Sequence, residues 1–221
     1  MLKVENVRKK RMFKTVLKDC TFAIDTGKIV GIIGENGSGK TTLLKIVTGL
    51  LHPSQGSRNI AKDPSQYISY SPDQSYFFDY FSIAQLIDFY QTQYSDFNRE
   101  RAEGLIDFFD LNRKEKIKYL SKGQVGRVKI AVTIAREAPF LVLDEPLAGL
   151  DPMVKEKIIK GIIQFIDLEM QSLIITTHEL LEVEAILDEV IVLKDGQIIE
   201  QKEVEDIRKN SSLQNWLQEI Y

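Results

Sequence analysis

Apolar residues recur along this chain with two different periods, and the change of period divides it. Three short runs are continuously apolar: "KIVGII" (28–33), "FLVLD" (140–144) and "LIITT" (173–177). Runs of this length predict strands buried on both faces, as in a parallel sheet. Each is followed by polar or glycine-rich residues and then by a helical pattern, the alternation of an α/β fold. Val154, Ile158, Ile162 and Ile166 share one face of a helix between the second and third strands. "EVIVLKDGQIIEQ" (189–201) predicts a hairpin that turns at Asp195-Gly196.

The middle of the chain keeps the helical period. Ile83, Leu86, Ile87 and Tyr90 line one helix face, and Ser82 with Gln85 makes a capping box at its start. A second helix is expected over Arg99 to Phe109. A third should run from Lys122 to about Glu137 on a face marked by Val125, Val128, Val132 and Ala135. Leu213, Trp216, Leu217 and Ile220 predict a terminal helix that docks back. The expected organisation is one domain, 1–221. Its α/β core would span 1–75 and 138–201, its helical insert 76–137 and its C-terminal helix 202–221.

Composition narrows the reading. The 221 residues are 43% hydrophobic and 28% charged, enough to bury a substantial core. A formal charge of −3 and a pI near 5.6 argue against a dedicated nucleic-acid binder, so no nucleic-acid partner is expected. The basic run Arg8, Lys9, Lys10, Arg11 and Lys14 reads as a solvated strand edge or turn. Cys20 is the only cysteine, which excludes an intramolecular disulfide and fits a reducing compartment. No apolar run approaches the roughly 18 residues of a membrane span. The chain is expected to be soluble when isolated, and any membrane role would come through docking to another protein.

"GENGSGKTT" (34–42) fits G-x-x-x-x-G-K-[ST], with an apolar strand before it and the helical "TLLKIVTGLL" after it. Gly34, Gly37 and Gly39 permit a backbone that turns its N–H groups inward as an anion nest, together with Glu35, Asn36 and Ser38 of the same loop. Lys40 would reach the β- and γ-phosphates of a nucleoside triphosphate, Thr41 would ligate Mg²⁺, and Thr42 would reach the α-phosphate side. "FLVLDEP" (140–146) ends a buried strand in two carboxylates, at the strand end where open α/β sheets bind ligands. Asp144 could hold Mg²⁺, which frees Glu145 to orient and deprotonate a water. A tandem Asp-Glu thus points to hydrolysis rather than transfer to a bound acceptor. His178 ends the third strand in "IITTHE", so the same rule sends it to the same edge, to hydrogen-bond the γ-phosphate and hold the water. The other histidine, His52, follows a helix and reads as a surface residue.

"YLSKGQVG" (119–126) holds no metal ligand, carboxylate pair or evident nucleophile. By itself it is a helix start, since Ser121 followed by Gln124 fits a capping box. Its place among the other motifs changes that reading. The loop "GENGSGKTT", then "LSKGQ" (120–124), "LVLDE" (141–145), "AGLD" (148–151) and His178 occur in the order of the Walker A, signature, Walker B, D-loop and switch motifs. Over essentially its whole length the chain resembles the ATP-binding cassette subunit of ABC transporters. The resemblance implies a P-loop NTPase (RecA-like) core with an N-terminal antiparallel β subdomain and an inserted α-helical signature subdomain. It implies ATP and Mg²⁺, and a head-to-tail dimer, homo- or heteromeric, with two ATP molecules in the interface. Each nucleotide would lie between Walker A of one subunit and the signature residues Ser121, Gly123 and Gln124 of the other, and the D-loop Asp151 would also bind it. Lys40, Glu145 and His178 would carry catalysis.

Several positions depart from the family pattern. Lys122 stands where the signature usually has glycine. The Q-loop position after "YSP" is Asp73, with Gln74 next, and either could reach Mg²⁺ and the water. The aromatic residue that stacks on adenine falls near Arg11, with Phe13 close by, so ring or guanidinium stacking is open. The family also implies permease subunits as partners and a peripheral place on the cytoplasmic face of the cell membrane. Residues 76–109 hold eleven aromatics, and the dense "YFFDYF" (76–81) is expected to form part of a cleft for a permease helix. The signature and the acidic Q-loop resemble those of drug, peptide or bacteriocin exporters. The alternative is a soluble ABC-type ATPase acting on nucleic acid or the ribosome, but the single cassette without a heptad insertion speaks against it.

Overall fold

The computed structural model describes residues 1–59, 64–74 and 76–220; the expected boundary at 75 and the last residue, 221, lie outside the described residues. The elements begin with strands β1 (Leu2–Arg11), β2 (Lys14–Ile24) and β3 (Ile29–Ile33), then helix α1 (Lys40–Val47) and strands β4 (Gln55–Asn59) and β5 (Ile68–Ser71). Helices α2 (Ile83–Gln93), α3 (Arg99–Phe108) and α4 (Lys122–Ile134) follow. The chain continues with β6 (Phe140–Asp144), α5 (Pro152–Phe165), β7 (Ser172–Thr177), β8 (Glu189–Lys194), β9 (Gln197–Glu203), α6 (Val204–Arg208) and α7 (Leu213–Ile220). One nine-stranded sheet has the order β4-β1-β2-β9-β8-β3-β7-β6-β5. Its β1, β2 and β4 pair antiparallel, whereas β8, β3, β7, β6 and β5 run parallel.

The three apolar runs are central strands, and every residue of β3, β6 and β7 is buried. Their side chains alternate between two cores. Val30, Ile32, Val142 and Ile174 pack with Leu43, Leu44, Ile46 and Val47 of α1. Ile29, Ile33, Leu141, Leu143, Leu173 and Ile175 pack beneath the helices on the other face. This period of two aims the strand ends. Asp144 lies two residues beyond Val142, and Thr176 two beyond Ile174, so both belong to the α1 face. The register sets Ile32 opposite Thr176 and Thr176 opposite Asp144, which brings the carboxyl ends of all three strands level.

The Asp195-Gly196 hairpin and the Ser82 capping box occur as the sequence indicates. Helix α4 differs. It ends at Ile134 rather than near Glu137, and every residue from Val128 to Ile134 is buried, Lys129 and Thr133 included. A single apolar stripe is insufficient for a helix packed against α3, α5 and β5 together. The residues beyond it lead to Pro139, which disfavours helix at the residue before it. After β9 the tail forms two short helices, with Leu213 and Trp216 buried. Burial raises the Cys20 thiol to about 11, which leaves it protonated and unreactive. Among the described residues, no helix is long and apolar enough to cross a membrane.

Candidate active site

The loop between β3 and α1 is shaped by glycines where nothing larger fits. Gly39, the N-cap of α1, has φ 111°, and a Cβ there would stand 2.8 Å from Leu17 Cδ2. A Cβ on Gly34 would stand 2.3 Å from the Leu193 carbonyl oxygen. Lys40 folds back over the loop, with its ammonium donating to Gly34 O at 2.6 Å and Glu35 O at 3.1 Å. The Ser38 hydroxyl is buried with no hydrogen-bond partner among the described residues. A helix N-terminus, an inward-facing loop and an ammonium make a cradle suited to phosphates. The cavity beside it, about 270 Å³, is lined by Val16, Asn36, Gly37, Gly39, Lys40, Thr41, Thr42, Asp73 and Glu145. Glu35 and Ser38 line a smaller recess shared with Leu193 and Lys194.

The two carboxylates at the end of β6 have opposite surroundings. Asp144, 1% exposed, accepts hydrogen bonds from neutral hydroxyls: Thr176 Oγ1 donates to Oδ1 at 2.8 Å, Thr41 Oγ1 to Oδ1 at 3.2 Å, and Tyr70 OH to Oδ2 at 3.2 Å. A buried carboxylate bonded by neutral donors is one that a cation would stabilise. Hard oxygens from Asp144 and Thr41 suit Mg²⁺, which is typically held by one or two protein groups together with substrate phosphates. Glu145 instead faces the Lys40 ammonium and the His178 imidazole. Its Oε1 lies 3.1 Å from Lys40 Nζ and its Oε2 2.8 Å from His178 Nδ1. The Glu145 backbone sits in the left-handed region at φ 47°, a strained conformation for this residue. Its N–H donates to Thr176 Oγ1 at 2.9 Å.

Thr176 is a site residue that sequence reasoning missed. Its hydroxyl accepts from Glu145 N and donates to Asp144, so one side chain sets both carboxylates. The clue available was its place two residues beyond Ile174, on the face that also carries Asp144. Replacing Thr176 by Val keeps the shape and leaves two polar groups without that partner. We expect a loss of about 2 kcal/mol, read as a fall of about 4–8 °C in unfolding temperature, together with reduced ATP turnover. An unchanged melt would contradict this role.

The remaining sequence-derived residues, Asp73 excepted, lie apart from this cavity. Ser121 and Gln124 form the full capping box of α4: Ser121 N donates to Gln124 Oε1 at 2.8 Å, and Gln124 N donates to Ser121 Oγ at 3.3 Å. Gly123 follows Lys122, whose ammonium lies over Gly149 of the D-loop. Asp151 caps α5 by accepting from Val154 N at 3.0 Å. Arg11 and Phe13 occupy the exposed β1–β2 turn, and neither lines the cavity, whereas Val16 does. Asp73 lines the cavity, while Gln74 lines only the adjoining cleft with Lys122, Lys129 and Glu145. Lys129 ties this segment to α4 by donating to Asp73 O at 2.7 Å. Burial pushes the Lys129 ammonium below its ordinary range. His52 is exposed.

Known proteins resemble this chain in sequence and in fold. A family model described as ABC transporter matches residues 17–148. The chain is 30% identical over 213 residues to an uncharacterized ABC transporter ATP-binding protein of Methanocaldococcus jannaschii, covering 93% of this chain and 79% of that one. It is 32% identical over 224 residues to a probable amino-acid ABC transporter ATP-binding protein of Haemophilus influenzae, covering 91% and 87%. A solved ATP binding subunit of an ABC transporter superposes with a TM-score of 0.88 at 25% identity, over 100% of this chain and 99% of that one. A dimeric cassette in a post-hydrolysis state bound to ADP and Pi superposes with a TM-score of 0.80 at 24% identity, over 92% and 99% of the two chains. The chain therefore belongs to the ABC transporter family, as an ATP-binding cassette.

Proposed function

We propose that this cassette hydrolyses ATP at the Lys40–Glu145–His178 edge only when a second cassette closes over it, and that the closure drives a membrane permease. The observation that carries the reading is the chain of contacts from Lys40 through Glu145 to His178, beside the separate Asp144–Thr41 pair. Lys40 is already ion-paired, so a triphosphate would take its ammonium from Glu145 and free that carboxylate to accept a proton from water. His178, on the other oxygen of Glu145, would orient the carboxylate and meet the γ-phosphate. Mg²⁺ bound through Asp144 and Thr41, with Asp73 near, would neutralise phosphate charge.

The second cassette is needed because Ser121, Gly123 and Gln124 lie on the helix start of α4, outside the cavity of their own chain. The Gly123 N–H, which the capping box leaves unused, and the helix dipole would serve a phosphate bound to the partner, and Asp151 would face the same interface. ATP then favours the closed dimer because it binds both faces, and hydrolysis removes that difference in affinity. Replacing Gly123 by Asp tests this arrangement. A Cβ there meets only Val154 at 3.4 Å, so the fold should hold, while the new carboxylate would face phosphate. In a Glu145→Gln background, ATP should shift the chain to dimer in size-exclusion chromatography. Adding Gly123→Asp should abolish the shift while each monomer still binds ATP. A persistent dimer would refute the arrangement.

The permease contact is supported by a groove of about 380 Å³ rather than by the whole aromatic run. Leu50, Tyr70, Pro72, Tyr76 and Tyr94 line it, together with Arg136. Tyr76, Phe78 and Tyr80 are exposed, whereas Phe77 and Phe81 pack partly into the core. We read the place of action as the membrane periphery and the direction as export, on the "LSKGQ" signature and the acid at position 73.

A further inference from the structure

The two oxygens of Asp144 are shared by hydroxyls from three elements. Thr176 comes from β7 and Thr41 from the phosphate-loop helix; Tyr70 comes from β5, three residues ahead of Asp73. Strands β5 and β6 are parallel with Tyr70 opposite Val142, so Tyr70 stands on the face that carries Asp144 and reaches along the strand to Oδ2. A carboxylate bonded on both oxygens cannot rotate without breaking a bond. Without Tyr70, Oδ2 would have no partner and the group could turn.

We propose that Tyr70 is a positioning residue for the metal site: its hydroxyl fixes the orientation of Asp144 and thereby sets the affinity for Mg²⁺. This rests on the reading of Asp144 as the carboxylate that holds the metal. The Tyr70 ring also lines the apolar groove with Pro72, Tyr76 and Tyr94. The residue that sets the metal site therefore also touches whatever fills that groove.

The test is Tyr70→Phe, which removes the hydroxyl and keeps the ring. Binding of a fluorescent ATP analogue would be followed during Mg²⁺ titration and again in EDTA, with unliganded unfolding measured alongside. About tenfold more Mg²⁺ should be needed for the half-maximal Mg²⁺-dependent change, the scale of lost support behind a metal ligand. Binding in EDTA should be unchanged, which a merely structural defect would not produce. Asp144→Asn separates the two levels of the argument. If Asp144→Asn abolishes the Mg²⁺ dependence and Tyr70→Phe leaves it unaltered, the role of Tyr70 is overturned and the metal reading stands. If Asp144→Asn also leaves it unaltered, the metal reading falls and this inference with it.

Discussion

Glu145→Gln is expected to slow ATP turnover by about 10²–10⁴-fold, the range for loss of a general base, while ATP binding persists. The amide has nearly the shape of the carboxylate but cannot accept a proton from water. The backbone anchor at this position, Glu145 N–H to Thr176 Oγ1, does not involve the side chain and survives the change. Lys40 loses its 3.1 Å ion pair and keeps Gly34 O and Glu35 O as partners, so its ammonium is more available to phosphate. Retained affinity with a large loss of turnover separates chemistry from binding. The measurement is phosphate release against equilibrium ATP binding, and undiminished release would remove Glu145 from its assigned role.

Arg136→Met should cost about 3 kcal/mol of stability, the lower end of the range for breaking a buried ion pair, because Asp96 keeps 25% of its side-chain exposure. Arg136 itself is 5% exposed and lies between the helical segment and the sheet. It donates to both oxygens of Asp96 at 2.9 and 2.7 Å, to Ser65 O at 2.6 Å and to Ile68 O at 3.3 Å, and it lies 3.9 Å from the Tyr94 ring centroid. Methionine fills much of the volume and satisfies none of these acceptors. A fall of about 6–12 °C in unfolding temperature follows for a chain of this size. Arg136→Lys should lie between the two, since a single ammonium cannot reproduce the planar fork. A melt of Arg136→Met within a degree of the parent would show that the pair contributes little.

The phosphate loop, Asp144, Glu145 and His178 were legible because chemistry there is tied to local pattern. A strand of five apolar residues has one carboxyl end, and whatever follows it must stand at the edge of the sheet. Thr176 and Tyr70 were not legible in the same way. Each sits inside a strand, and its importance depends on which residue of the neighbouring strand lies opposite. Helix α4 shows a related limit: its period predicted a helix, but whether one face or all faces were buried depended on how many elements packed around it. Arg136 follows that helix with no motif around it, and its partners Asp96 and Ser65 are 40 and 71 residues away.

The sequence by itself determined the α/β class, the phosphate loop, the order of the motifs and the capping box of "YLSKGQ", since each follows from residues within a turn or a strand of one another. Tertiary structure alone decided that Asp144 is surrounded by neutral hydroxyls while Glu145 is bound by Lys40 and His178, two adjacent carboxylates with opposite environments. It also decided that Asp73, rather than Gln74, lines the cavity beside the phosphate loop. The physical reason is the same in each case. Electrostatics and hydrogen bonding act over a few ångströms in space, and strand register, not distance along the chain, determines which groups come that close.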